Sequence, residues 1–352
     1  MTQRTPVSII TGFLGAGKTT LLNRILRDRA MAGALVIINE FGDIGLDHLL
    51  IATPSENTVL LDSGCICCTV RGDLTDTLRR VKRERQAGDL PPFDRVLIET
   101  TGLADPVPIM QTVVADEVIA PAFEMDSVIT LVDAVHAMSQ LDHEPQAVKQ
   151  VALADRLLIT KTDIAPASKE LVARLNRVNP AALITSVMHG EIACDMLFGA
   201  QLAANADAGA LVRWLPVSAP GGFRALYDDH IESHSVMLDQ PVTRAAMSAW
   251  LTALASLRGA QLLRVKGILN VEGEPVAVHA VQTLIHEPQP LERWPDHERR
   301  SRIVFITRDL ARDDIEATLD LLRLSTAPAA TPRPINPQTY ASFVAAMQKI
   351  IK

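Results

Sequence analysis

Aromatic residues, cysteine and excess positive charge are all scarce in this chain, and each shortage closes off a class of protein. Aromatics make up 4% of the 352 residues, so a core drawn from the 48% hydrophobic fraction must be mainly aliphatic. The formal net charge of −7 argues against a protein that coats nucleic acid, because phosphate contacts need a basic surface. The four cysteines are too few and too clustered for a disulfide framework. In a reducing compartment a tight cluster points instead to metal or redox chemistry. No apolar run approaches transmembrane length, and no secretory n-region and h-region precede the first strand. A cytoplasmic location with no membrane partner is therefore expected. The local basic run Arg79, Arg80, Lys82, Arg83 and Arg85 falls on helix-like sequence and reads as a solvated face.

What the chain does carry is a strand–loop–helix pattern at its start. An apolar run, Val7 to Ile10, leads into Gly12-Phe13-Leu14-Gly15-Ala16-Gly17-Lys18-Thr19-Thr20 and then a helix-like segment, Leu21 to Leu26. Gly12, Gly15 and Gly17 let successive backbone N–H groups curl around phosphate oxygens, and the helix dipole adds positive potential there. Lys18 can reach the β- and γ-phosphates, and the Thr19 hydroxyl can bind Mg²⁺. A bound nucleoside triphosphate is expected.

Further strand candidates are Leu35–Ile38, Thr58–Leu61, Arg95–Ile98, Ser127–Val132, Arg156–Thr160 and Leu183–Val187. Helical periodicity lies between most of them, as in Leu74–Arg85 and Lys169–Val178. This predicts an α/β phosphate-loop fold with a mostly parallel sheet covered on both faces. At this length two domains are the prior. The expected division is a nucleotide-binding domain over 1–215, a linker over 216–230 and a smaller C-terminal α+β domain over 231–352. The second unit reads as a helix (Thr243–Leu257), strands Gln261–Val271, Val276–His286 and Arg302–Thr307, and a helix (Asp313–Leu322). A final helix is expected from Pro337 towards Lys352.

The unusual residues fall after predicted strands. Asn39-Glu40-Phe41-Gly42-Asp43, Cys65-Ile66-Cys67-Cys68, Glu99-Thr100-Thr101-Gly102 and Thr160-Lys161-Thr162-Asp163 all follow one. In a parallel sheet those ends share the edge where α/β proteins bind ligands. Glu99 could hold a Mg²⁺-bound water or orient the attacking one, or simply cap the next helix. Gly102 could set its N–H against the γ-phosphate. Glu40 and Asp43 lie in a loop that could order around the ion and phosphate as a switch.

Thr160–Asp163 is similar to the guanine-reading pattern Asn-Lys-x-Asp. Asp163 would accept from the guanine N1–H and N2–H₂, and Lys161 would lay its stem across the base. Thr160 replaces the Asn with a shorter side chain, not expected to reproduce the amide's contacts, so adenine stays an alternative. Cys65, Cys67 and Cys68 offer soft ligands for Zn²⁺ or another thiophilic ion, with a fourth position open for exchange. Buried small hydrophobes and a Cys65–Cys68 redox pair are the competing readings. Cys194, distant in sequence, is expected in the core.

Together these motifs resemble the CobW-type GTPases, the metal-trafficking branch of the SIMIBI class, and the likeness continues through Leu263–Ile268 and Arg302–Ile306. The resemblance implies GTP hydrolysis coupled to Zn²⁺ delivery to a client metalloprotein, with cobalt supply for cobalamin synthesis as a sibling role. It implies Gly15, Gly17, Lys18, Thr19 and Thr20 at the phosphates, Lys161 and Asp163 at the base, and Glu99 as the acid. Cys65, Cys67 and Cys68 would form the transferable metal site, with Glu40 as an assisting position. A nucleotide-dependent homodimer fits the class. Slow intrinsic turnover is expected, since no arginine finger can be assigned. Rival readings are a small-molecule kinase and a non-catalytic, nucleotide-gated metal sensor or scaffold. Relatives' histidine-rich tract is reduced here to Asp228–His234, where His230 and His234 could form a metal pair but a solvated linker is favoured. For His279 and His286, packing or surface roles are favoured.

Overall fold

In the computed structural model the described residues are 4–39, 58–60, 69–199, 231–259 and 261–323. The chain divides into two compact units, whose described residues lie within 4–199 and 231–323. The expected linker over 216–230 and the expected final helix from Pro337 lie outside the described residues.

The first unit is built on a seven-stranded sheet in the order β3-β2-β4-β1-β5-β6-β7. The strands are β1 (Thr5–Gly12), β2 (Ala34–Asn39), β3 (Thr58–Leu60), β4 (Arg95–Thr100), β5 (Phe123–Asp133), β6 (Arg156–Thr160) and β7 (Leu183–Ser186). Every pairing is parallel. Parallel strands need crossovers, and helices supply them: α1 (Lys18–Ile25), α2 (Thr69–Ala87), α3 (Val107–Ala115), α4 (Ala137–His143), α5 (Pro145–Leu153) and α6 (Lys169–Val178). Because helices cover both faces, strand residues are apolar without alternation: Val7, Ile9 and Ile10 in β1 are all fully buried. Helix α6 shows how the sequence writes such a cover. Ser168 caps it by accepting from Leu171 N at 3.0 Å, and Leu171, Leu175 and Val178 form its buried stripe. Leu21, Leu22 and Ile25 seat α1 on Ile10, Leu97 and Leu131 of the sheet. Each such burial stabilises by about 1.5–3 kcal/mol.

The second unit has an antiparallel sheet in the order β11-β10-β9-β13-β8, with β12 on β10. Its strands are β8 (Ile231–Leu238), β9 (Leu262–Val271), β10 (Glu274–Val281), β11 (Leu284–Ile285), β12 (Gln289–Pro290) and β13 (Ser301–Arg308). Helices α7 (Arg244–Arg258) and α8 (Arg312–Leu319) share a core with one sheet face. Trp250 of α7, fully buried, meets Phe305 edge-to-face at 6.1 Å and donates from Nε1 to Thr318 Oγ1 at 3.4 Å. Arg264, Lys266 and His279 alternate with those core positions, and all are buried.

Several sequence expectations are corrected here. The predicted strand Val276–His286 is a hairpin, because Gln282 takes a left-handed φ of 51° and folds β11 back on β10. The fold stacks His279 on His286 at 4.4 Å and 4°. His234 is not in a solvated linker. It lies buried in β8, Nε2 at 3.3 Å from Glu232 Oε2, while His230 is outside the described residues. The basic run on α2 is tied down as well as solvated: Arg79 pairs with Asp116 at 2.9 Å, Lys82 donates to Val118 O at 2.8 Å, and Arg85 lies over Phe93. Cys194 is half-buried at the margin of the core, packed against it, with its Sγ 3.6 Å from Asp28 Oδ2 on the wall of a 400 Å³ surface cavity.

Burial, reinforced by His286, Arg264 and Lys266, holds the His279 pKa well below the usual histidine value. In the folded chain His279 stays neutral where the unfolded chain is already protonated. The unfolded state thus binds the extra proton, and stability falls as pH drops below about 6.5, by at most about 1.4 kcal/mol per pH unit. Thermal melts of wild type and His279→Gln between pH 7.5 and 5.5 should show the variant losing less stability than wild type.

Candidate functional site

The glycine loop begins at the end of β1. A Cβ on Gly12 would sit 2.5 Å from Leu131 O of β5, so only glycine lets the chain turn off the strand there. The loop then closes with Gly17 in the left-handed region, φ 92°, as the N-cap of α1. Helix α6 is capped by Ser168 and α7 by Thr243, but no side chain caps α1 and no acid lies in its first turn. Its first amides therefore point, with the helix dipole, at the space inside the loop. Lys18 Nζ donates to the carbonyls of Gly12 and Phe13 at 2.9 and 3.2 Å, which holds the ammonium against the same loop. Gly15 has open space beside it, Ala16 is buried under the loop and Thr20 is exposed.

Strand β4 delivers the acid. The parallel register sets Glu99 beside Ile10, and Glu99 is 4% exposed. Thr19 Oγ1 donates to Glu99 Oε1 at 3.1 Å, so the start of α1 and the end of β4 meet side chain to side chain. A hydroxyl oxygen beside a carboxylate is a hard donor set of the kind Mg²⁺ takes. One residue on, Thr100 Oγ1 donates to Thr11 Oγ1 at 2.8 Å. Gly102 lies directly over the loop, since a Cβ there would be 2.6 Å from Leu14 N.

Helix α5 restrains this turn through residues that the sequence reading passed over. Gln150 Nε2 donates to the carbonyls of Gly102 and Ala104 at 3.1 and 3.0 Å, and Gln146 Nε2 donates to Ala104 O at 2.6 Å. Lys149 pairs with Asp105 at 2.6 Å. In the sequence Gln150 is only a polar residue set against Val148, Val151 and Ala152, and its complete burial comes from the fold.

The segment expected to read the base, 160–163, spans the end of β6 and is met from the end of β5 and from the segment after β7. Thr160, shorter than the expected Asn, still reaches the phosphate loop: its hydroxyl is 2.8 Å from Ala16 O and 3.3 Å from Val132 O. Lys161, at φ 57°, pairs through Nζ with Asp133 Oδ2 at 2.7 Å. Asp163 lies 3.8 Å from His189, in the segment after β7. Burial pushes the Asp133 pKa up, but hydrogen bonds from Lys161, His136 and the Val135 amide outweigh it and leave the carboxyl below its usual value.

Lys18 and Thr19 at the start of α1, Glu99 near the end of β4, and Gly102, Lys161 and Asp163 in the loops after β4 and β6 thus stand at one edge of one sheet. Cys65, Cys67, Cys68, Glu40 and Asp43 lie outside the described residues. Among the described residues no group of three or more His, Cys, Asp or Glu side chains could hold a metal ion.

A parallel sheet with this loop and helix start defines a P-loop NTPase fold. Residues 6–186 match the nucleotide-binding domain described as CobW/HypB/UreG, and residues 231–323 match the cobalamin synthesis protein cobW C-terminal domain. The chain belongs to the CobW family of this class. It is 38% identical over 321 residues to the zinc chaperone YjiA of Escherichia coli K12, covering 90% of this chain and 98% of that protein. It is 32% identical to the zinc chaperone CobW of Pseudomonas aeruginosa, covering 92% of each. The crystal structure of Zn(II)-bound YjiA GTPase from E. coli superposes with a TM-score of 0.67 at 33% identity, over 92% of this chain and all of that one.

Gly102→Ala would force a methyl group into the Leu14 backbone, a strain of roughly 1–3 kcal/mol. Titration with a fluorescent nucleoside triphosphate should show roughly tenfold weaker binding, since about 1.4 kcal/mol is a factor of ten.

Proposed function

We propose that this protein hydrolyses GTP and uses the cycle to load Zn²⁺ at Cys65, Cys67 and Cys68 and pass it to a client metalloprotein. The observation that supports the reading most directly is the meeting of phosphate loop, acid and base-reading segment on one sheet edge. Strand β3, which leads in sequence to the cysteines, runs parallel to the others and ends at that edge. The likeness to proteins named zinc chaperones favours Zn²⁺ over Co²⁺, and cobalt handling is the runner-up.

In this reading the α1 amides, Gly15, Gly17 and Lys18 hold the β- and γ-phosphates and balance charge as the bond to the leaving oxygen breaks. Thr19 supplies the hydroxyl ligand for Mg²⁺. Mg²⁺, when bound, neutralises phosphate charge. Glu99 moves from its Thr19 hydrogen bond to hold an ordered water, and the Gly102 amide senses the γ-phosphate. Asp163 accepts from guanine, and Lys161 covers the base. Loss of the γ-phosphate releases the Gly102 turn and the Glu40–Asp43 loop, which loosens the thiolate site and hands the ion over. Coupling requires different Zn²⁺ affinity in the two nucleotide states. In this reading the GTPase domain is 1–215 and the C-terminal domain 231–352, joined by 216–230, in a cytoplasmic protein. No helix among the described residues is long and apolar enough to cross a membrane.

The reading is tested by competing a chromogenic Zn²⁺ chelator against the protein with GTP analogue, GDP or no nucleotide. We expect affinities that differ at least fivefold and a loss of metal in Cys67→Ser; equal affinity in all states removes the coupling. Phosphate release without transfer to an acceptor separates a GTPase from a kinase, and no turnover even with Zn²⁺ and client favours a sensor.

A nucleotide-dependent homodimer belongs to the same reading. The exposed apolar residues Leu14, Leu103, Val135, Ile164 and Met188 all follow strands at the site edge. Light scattering should show a doubled mass with a non-hydrolysable GTP analogue, and Leu103→Asp should abolish it.

A further inference from the structure

Asp133 ends β5 and is 1% exposed, yet the hydrogen-bond partners of its carboxylate, Val135, His136 and Lys161, all lie in segments that follow strands. Its Oδ1 accepts the Val135 amide at 2.9 Å. Its Oδ2 takes Lys161 Nζ at 2.7 Å and His136 Nδ1 at 2.9 Å. The parallel ladder sets Asp133 beside Thr160, and Ala134 N donates to Thr160 O at 3.0 Å, so the carboxylate has a fixed height relative to the base segment. Lys161 is restrained at its other end too, because its carbonyl accepts from Ile164 N and Ala165 N at 3.0 and 3.1 Å. A flexible side chain on a left-handed backbone residue is thereby held at both ends.

We propose that Asp133 is the positioning residue of the base site: it holds the Lys161 ammonium so that the lysine stem is laid out in advance for the guanine ring. This rests on the reading that Lys161 and Asp163 receive the base. A free lysine would lose rotamer freedom on binding nucleotide, and the buried carboxylate removes that loss beforehand. Asp133 acts through Lys161 and touches no substrate. Its contribution is made equally to bound substrate and transition state, so it shows in KM and leaves kcat alone.

The test uses the intact protein with GTP, ATP and a fluorescent GTP analogue, in Asp133→Asn, Lys161→Ala and the double variant. Asp133→Asn should weaken GTP roughly tenfold through KM, with kcat within about twofold. In the Lys161→Ala background Asp133→Asn should add nothing further, because the two act as one unit. If Lys161→Ala weakens GTP but Asp133→Asn does not, or if the two effects add, the positioning role is overturned while the base site stands. If Lys161→Ala changes neither GTP affinity nor the preference over ATP, the base-site reading fails and the proposal falls with it. Should melting show that Asp133→Asn does not fold, Lys161→Met decides: it keeps the stem and drops the tethered ammonium. It should weaken GTP to a similar extent, and unchanged affinity overturns the proposal.

Discussion

The register of β4, β1 and β5 is the constraint on which the site depends. Parallel pairing sets Glu99 against Ile10, and Gly12 against Leu131. It is held by backbone hydrogen bonds between strands buried on both faces, where an unpaired N–H or C=O is costly. A one-residue slip would exchange the faces of every side chain and carry Glu99 out of reach of Thr19. The 3.1 Å contact between those two side chains is thus a consequence of sheet geometry.

Around that frame the loops are held by buried polar groups as well as by apolar packing such as that of Ala16. Gln150 grips the turn at Gly102, Thr160 ties the base segment to Ala16, and Asp133 anchors Lys161. Such contacts hold a loop in a defined place. Each is worth a modest amount when made and is costly when left unpaired, so each favours discrete arrangements over gradual deformation. The phosphate loop meets both neighbours directly, through Gly102 over Leu14 and through Thr160 on Ala16. A displacement of this loop would therefore be felt on either side.

Much of the fold was legible because parallel strands covered on both faces leave a strong signature. The predicted strand Arg156–Thr160 and helix Lys169–Val178 match the observed bounds. The placement of the motif residues at strand ends could be read for the same reason: a glycine turn, a lysine and an acid there follow directly on the apolar strand runs. Errors came where the signal depends on a partner. The stretch Asp228–His234 reads as a solvated linker by its polar residues, yet pairing with β13 makes Ile231–Leu238 a strand and buries His234. The Gln282 turn is invisible in a run of β-prone residues, because only the pairing of β10 with β11 requires it. Asp133 and Gln150 belong to no short pattern.

The sequence by itself determined the phosphate loop, the class of sheet and the family, because local backbone chemistry and hydrophobic pattern carry that information. Tertiary structure alone decided which side chains touch: Thr19 with Glu99, Asp133 with Lys161, Gln150 with Gly102. Those pairs join residues between 28 and 80 positions apart in the chain. Residues so distant are brought within hydrogen-bonding reach by strand order, which no local pattern encodes.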